Sequence, residues 1–401
     1  MGGRELLSDI EGMITHILLG CNNPLDFSDL VSIRSAFDEN VKVSIMYSTK
    51  LEEMIDGLKK RMDETGKEVH YYPLDGEAPI WMQDRLHVFK GKTVMSSISI
   101  EESKRRREKN ERDYTTDKTD IIFESDFWKE NGFEIIPNDL GLYNSDAGEI
   151  IAAEKKLFVG SRLATEYAYH DLKRNVKSQE DLLALQDELA DILKQLDPSR
   201  ELVFVGVNGV SAGQHIDCFF TPLNDNQVAV QLPHMTREKI ELPTNFKCTM
   251  NGFQHYWENL NYLARFFMSI GYDVLPMAGL PPMNYFDGDR QVNVLHIAGR
   301  GLHVSKFLIP YMTYNNIVQE VFPVDGEVKR RVYSPCYDLD KSIFEDLHQE
   351  KTYKNLMQLN DMAERFYENF VDNAEIRKIN LGYRASLIGS VRCSVKVLER
   401  S

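Results

Sequence analysis

The chain has few cysteines, and they stand far apart: Cys21, Cys218, Cys248, Cys336 and Cys393 in 401 residues. Their number is odd and no C-x-x-C pair occurs, which argues against a disulfide framework and a zinc site and fits a reducing compartment. Long apolar runs are also missing. No segment approaches the roughly 20 residues that span a bilayer, and no basic stretch followed by an apolar core opens the sequence. A cytoplasmic protein is therefore expected, with secretion without a cleaved signal as the alternative. Positive charge is in deficit: 47 Lys and Arg stand against 62 Asp and Glu, a formal charge of −15. That balance argues against nucleic-acid and anionic-membrane surfaces and suits a cationic ligand. The one basic run, Lys104 to Arg107, lies among Glu101, Glu102, Glu108 and Glu111 and reads as a solvated loop.

What is present is the composition of a soluble globular protein, 42% hydrophobic and 27% charged, and a recurring order of elements. The chain starts with an expected strand over 13–20, a helix over 27–37, a strand over 41–47, a helix over 51–62 and a strand over 69–73. A hairpin is expected over 80–100 about Gly91-Lys92, then strand 133–137. The order returns as hairpin 147–160, helix 178–196 with Leu182, Leu185, Leu189, Ile192 and Leu196 on one face, and strand 202–207. It returns again as hairpin 215–232, a helix capped by Asn251 and strand 272–276. A fourth hairpin over 291–309 leads to a short helix over 315–320 and an apolar stretch at Val321-Phe322-Pro323. The period of roughly 65 to 80 residues reads as a structural repeat. A final hairpin over 376–398, completed by the N-terminal helix and strand, makes five units that close a ring and leave no exposed sheet edge. One domain over 1–401 is expected, with two insertions: a charged loop at 101–118 and helical material at 325–372.

Three stretches carry chemistry. Gly389-Ser390-Val391-Arg392-Cys393-Ser394-Val395 places a thiol among small and β-branched residues at the end of a short apolar run. A thiol with a pKa of about 8.5 needs a base or a positive setting to become a nucleophile. His215-Ile216-Asp217 sets an imidazole and a carboxylate two residues apart, on one face if the backbone is a strand. Trp81-Met82-Gln83-Asp84-Arg85 adds a second carboxylate beside an aromatic ring. Each alone has a plainer reading: a core cysteine, a structural His–Asp pair, a turn-capping Asp.

Together and in this order the motifs resemble the guanidino-group modifying enzymes of the pentein superfamily. Trp81-Met82-Gln83-Asp84 is similar to the Trp-x-Gln-Asp of the protein-arginine deiminases, His215-Ile216-Asp217 to their His-Val-Asp, and Gly389 to Cys393 to their Gly-x-Val-His-Cys. Ala147-Gly148-Glu149-Ile150 and Phe158-Val159-Gly160-Ser161-Arg162 resemble the Gly-Gly-Asp-Val and Phe-Val-Gly-x-Ser stretches of dimethylarginine dimethylaminohydrolase and arginine deiminase. The resemblance implies an α/β fold, the five-bladed pentein propeller of pseudo-repeated ββαβ units. It also implies a cationic substrate, an arginine derivative, agmatine or peptidyl arginine, held by Asp84 and Asp217. Cys393 would attack the guanidinium carbon and His215 would move the protons. Trp81, Glu149, Arg162 and Asn293 are candidate substrate contacts, with a hairpin cap as the plainer reading of Glu149 and an ordinary polar residue at the surface as that of Arg162 and Asn293, and no cofactor or metal is called for. Deimination leads, with amidino transfer to an amine as the alternative. A non-catalytic pentein that grips another protein through 325–372 is the rival from outside enzymes. The chain departs from the pattern at Arg85, Cys218 and Arg392, and these departures bear on the substrate rather than on the chemistry. As the strand neighbour of Cys393, Arg392 is expected to point outward.

Overall fold

The computed structural model describes residues 4–109, 119–175, 177–206, 215–232, 246–248, 253–280, 283–287, 290–292, 312–339, 341–386 and 389–401. Contacts divide the chain into two compact units. The first comprises Met1–Pro24, Asp38–Asp217 and Arg392–Ser401, the second Leu25–Phe37 and Cys218–Val391.

The first unit holds three sheets. In the first, the order is Lys396–Arg400, Ile14–Cys21, Lys42–Ser48 and His70–Leu74, with the C-terminal strand antiparallel to Ile14–Cys21 and the later pairs parallel. The two ends of the chain thus share one sheet, as the repeat suggested. Ile14–Cys21 is buried along almost its whole length, which is why it reads as an unbroken apolar run rather than an alternation. The second sheet is a hairpin of Leu86–Phe89 and Thr93–Ser96 with Glu134–Ile136 parallel to it. The third repeats that plan with Ile150–Ala152, Lys156–Gly160 and Glu201–Val205. Helix Gln179–Leu193 makes the crossover, started by a capping box in which Ser178 and Asp181 satisfy each other's backbone N–H. Its Leu182, Leu185, Leu189 and Leu193 face the core with Leu157 and Val159 of the sheet.

In the second unit the same plan appears in Phe220–Pro222, Gln227–Gln231 and Asp273–Met277, and again in Val318–Val324, Glu327–Cys336 and Ala374–Asn380. Smaller pairings join Phe246–Cys248, Met283–Asp287 and Arg290–Val292, and Gly279–Leu280 with Met312–Thr313. Helix Phe27–Ala36 belongs here; the buried Asp26 just before it receives the Arg384 guanidinium at 2.8 Å.

Four expectations are corrected. The residues 325–372 are not an insertion but the second strand and crossover helix of a unit. Asp325 and Gly326, with φ of 53° and 83°, form the two-residue turn of a hairpin that pairs Val324 with Glu327, because Asp-Gly tolerates two positive φ angles. Helix Glu350–Phe370 then returns the chain to Ala374–Asn380. Residues 315–320 are not helical: Val318 opens a strand whose partner that turn supplies. The expected hairpin over 376–398 is two strands in separate sheets. Finally, the charged 101–118 stretch includes a helix, Ile100–Glu108, N-capped by Ser99. Arg106 is buried there with its guanidinium 3.8 Å from the Tyr143 ring centre, a cation–π contact rather than a solvated charge. The hairpin expected over 291–309 lies, apart from Gln291 and Val292, outside the described residues, as does Asn293. Among the described residues no helix is long and apolar enough to cross a membrane.

The second sheet is backed by an aromatic cluster in which Trp128 meets Phe123, Phe127 and Phe133 and donates its indole N–H to the Ile122 carbonyl at 2.7 Å. Trp128→Ala is expected to cost about 3–5 kcal/mol through the cavity and the orphaned carbonyl, read as a lowered denaturant midpoint with an unchanged slope.

Candidate active site

Short turns ahead of strands carry the polar residues of the site. Asp84 lies in the 3-10 turn Gln83–Arg85 before Leu86–Phe89, and Glu149 in the turn Ala147–Glu149 before Ile150–Ala152. Asp217 lies in the turn Ile216–Cys218, and Cys393 in the short helix Val391–Ser394 before Lys396–Arg400. His215 and Asp217 therefore do not share a strand face. A turn at the head of a strand frees its side chains from the sheet's alternation, and the repeat of that turn puts one polar group per sheet at an equivalent place.

The structure brings Asp84, His215, Asp217 and Cys393 into one cluster within the first unit and adds a residue that the sequence reading missed. His215 Nε2 is 2.9 Å from Asp146 Oδ2, and its Nδ1 is 3.3 Å from Asp84 Oδ1. Asp146 is the N-cap of the turn, its other oxygen accepting the Gly148 N–H at 2.9 Å. The available signal was that cap chemistry, an Asp two residues ahead of a Gly at a turn. Gly148 itself has no room for a side chain: a Cβ there would run into the His215 ring and lie 2.7 Å from Asp84 Oδ1.

Burial by itself disfavours a charged imidazole, but the Asp146 and Asp84 carboxylates outweigh it and hold the His215 pKa well above its ordinary value. Burial would likewise raise Asp146, yet His215 and Arg162 draw it down. The pair is thus an imidazolium and a carboxylate at neutral pH. Glu149 behaves in the opposite way. Fully buried, it is pushed up to about 8 by loss of water, against the opposing pull of His215 and Arg162. Its two oxygens have no hydrogen bond among the described residues, with Arg162 Nη1 3.9 Å away. Arg162 points its Nε at Glu166 instead, at 2.8 Å. Trp81 is partly exposed three residues ahead of Asp84.

Cys393 Sγ lies 3.8 Å from Asp217 Oδ2, and that same oxygen accepts a 2.9 Å bond from Arg392 Nη1. Arg392 therefore points inward, contrary to expectation, because Val391–Ser394 is a helical turn and not a strand. Lys396 is a second buried cation. Burial lowers it to about 7, and its Nζ donates to Gln83 Oε1 at 3.2 Å, while Gln83 Nε2 donates to the Ala147 carbonyl at 3.2 Å. That bridge ties the strand after Cys393 to the turns bearing Asp84 and Glu149. Asp84, Asp146 and His215 offer three ligand atoms within 4.8 Å of one another, but the carboxylates sit at different nitrogens of one ring. Asp217, Cys218 and Cys393 form a second such group.

No protein-family model matches the sequence, and no curated protein does. Among solved structures the chain is similar to the agmatine deiminase of C. jejuni, with a TM-score of 0.57, 14% identity, and coverage of 100% of this chain and 98% of that one. It is also similar to a structural-genomics protein assigned as an agmatine deiminase, with a TM-score of 0.58, 12% identity, and coverage of 98% and 95%. At these identities the likeness establishes the fold, the pentein α/β propeller of repeated ββαβ units.

A carboxyl raised from about 4.5 to about 8 on folding adds stability that is complete below the lower value and lost as pH rises through the upper one. The melting-temperature advantage of wild type over Glu149→Gln is therefore expected to shrink between pH 5 and pH 8.5. An advantage that stays constant across that range would show that Glu149 keeps its charge on burial.

Proposed function

We propose that this chain, a pentein by fold, is a cysteine-dependent hydrolase that converts the guanidinium of an arginine derivative to a ureido group and ammonia. The observation that carries the reading is the meeting of a thiol, a buried carboxylate 3.8 Å from it and an imidazolium clasped by two further carboxylates. A guanidinium is planar, permanently charged and a poor electrophile, so a catalyst must pair its N–H edges with carboxylates and bring a thiolate to its carbon. Asp84 and Asp217 are the acceptors.

In the first step Cys393, its thiol proton lost to solvent as the cationic substrate binds, bonds as the thiolate to the guanidinium carbon, a proton passes from the His215 imidazolium to the leaving nitrogen, and ammonia departs. An amidino-thioether remains on Cys393. His215, now neutral, takes a proton from water as its oxygen attacks the same carbon, and the C–S bond breaks to return the thiolate and release the ureido product, the remaining hydroxyl proton passing to solvent. The raised pKa of His215 supports its part as the initial acid, and the change in its charge during the first step prepares it as the base for the second. Neutral Glu149 can donate a hydrogen bond beside that ring without adding a negative charge.

The test is a panel of arginine, methylated arginines, agmatine and an arginyl peptide, followed for ureido product and ammonia, with glycine added to report amidino transfer. Cys393→Ala is expected to abolish turnover, and His215→Asn to lower kcat by ~10²–10⁴-fold. Absence of turnover together with absence of any adduct on Cys393 would sink the enzyme reading; an amidinated glycine would make the enzyme a transferase.

Gly148→Ala, which forces a methyl between His215 and Asp84, is expected to lose at least about 100-fold in kcat in a protein that still folds, as judged by its circular dichroism.

A further inference from the structure

Arg392 has no part in the steps above, yet it adjoins the nucleophile and is only 5% exposed. Its guanidinium is fixed from three directions: Asp217 Oδ2 at 2.9 Å, Asp9 Oδ2 at 3.1 Å and the Ile150 carbonyl at 3.0 Å. Asp9 is anchored in turn, its Oδ2 accepting the Ala152 N–H at 2.8 Å and its own N–H reaching the Ala152 carbonyl at 2.8 Å. The guanidinium is therefore held on the third sheet and presented to Asp217. The oxygen it meets is the one 3.8 Å from the Cys393 thiol.

Asp217 is completely buried. Burial pushes its pKa up and Asp84 pushes it further, while Arg392, ahead of His215, pulls it back. Arg392 is itself influenced by Asp9, and Lys396 lies near enough to Arg392 and Asp84 to feel both. The charged groups that bear on Asp217 are Arg392 from the C-terminal segment, His215 from its own turn and Asp84 from the turn before the second sheet; Asp9 from the N-terminal segment acts on Arg392 and Lys396. A carboxylate grips a guanidinium only while ionised, since its protonated form donates where an acceptor is needed.

We propose that Arg392 is a positioning residue, a built-in guanidinium that keeps Asp217 charged and aimed beside Cys393 before any substrate arrives. The inference rests on the guanidino reading and deepens it: one of the two substrate carboxylates is preorganised by the protein's own arginine. The substrate guanidinium then joins Arg392 at a shared carboxylate, rather than finding a buried acid that must first lose its proton.

The experiment compares wild type, Arg392→Met and Arg392→Lys. Its direct readout is the infrared difference spectrum of each against its own Asp217→Asn counterpart at pH 7, where a protonated carboxyl contributes a C=O stretch that a carboxylate lacks. The band is expected for Arg392→Met and absent for wild type and Arg392→Lys. The second readout is the rate of Cys393 alkylation by chloroacetamidine, a cation, divided by the rate with neutral chloroacetamide. That ratio is expected to fall about tenfold or more in Arg392→Met at pH 7, the loss of one charge-assisted bond, to recover as pH rises and to survive in Arg392→Lys. If Arg392→Met does not fold, Arg392→Gln, which retains donors for Asp9 and Ile150 without the charge, replaces it. A folded neutral variant without the carboxyl band overturns the proposal. Wild type that shows no preference for the cationic reagent counts against the guanidino reading, and the infrared result still decides the role of Arg392.

Discussion

The cost of burying charge governs the first unit. Taking an ion out of water costs several kcal/mol even after the protein relaxes, and here Asp84, Asp146, Asp217, Arg392 and Lys396 are all buried with His215 among them. Each must find compensation from another, and each sits on a different turn or strand end. His215 closes the gap between the turns that bear Asp84 and Asp146; Arg392 joins Asp217 to Asp9 and the third sheet; Lys396 and Gln83 link the last strand to two turns. The ion pairs hold the geometry because breaking any one leaves an uncompensated charge in a dry interior.

The same economy of charge sorts otherwise identical groups into different tasks. Asp146 and Glu149 are three residues apart on one turn and both wholly buried, yet they are driven in opposite directions. Asp146 has the imidazolium at 2.9 Å and a backbone N–H, and stays a carboxylate. Among the described residues Glu149 makes no hydrogen bond and has an arginine at 3.9 Å that is already committed to Glu166, and loss of hydration outweighs the pull of that arginine and of His215. Carboxyls whose environments separate their pKa values supply an acid and an anion at one pH. The backbone permits this crowding only because Gly148 and Gly160 carry no side chains: a Cβ at Gly160 would collide with Glu149 Oε2.

Much of the architecture was legible in order along the chain. The hairpins at 80–100, 147–160 and 215–232, with the strand that follows each and the helices after the last two, stood out because strand and helix periods differ and turn residues punctuate them. The unit that escaped was the one starting at Val318. There the Asp325-Gly326 turn was passed over, and a strand with a polar, partly exposed face, Glu327–Cys336, gave no apolar run to mark it. The identities of Asp84, His215, Asp217 and Cys393 were legible because residue type and sequence order survive in a string of letters. Asp146 was not, since its importance comes from an imidazole 69 positions away.

The sequence by itself determined the inventory: a repeat of hairpin, helix and strand, its closure by the two termini, and the four polar residues Asp84, His215, Asp217 and Cys393. Those follow from local periodicity and side-chain chemistry, which need no partner to be read. Only the tertiary structure decided that Arg392 turns inward, that His215 is driven toward its charged form and Glu149 toward its neutral one, and that Asp146 joins the cluster. Direction and ionisation depend on which groups from distant turns share a volume without water, and that is a property of the folded chain rather than of any stretch of it.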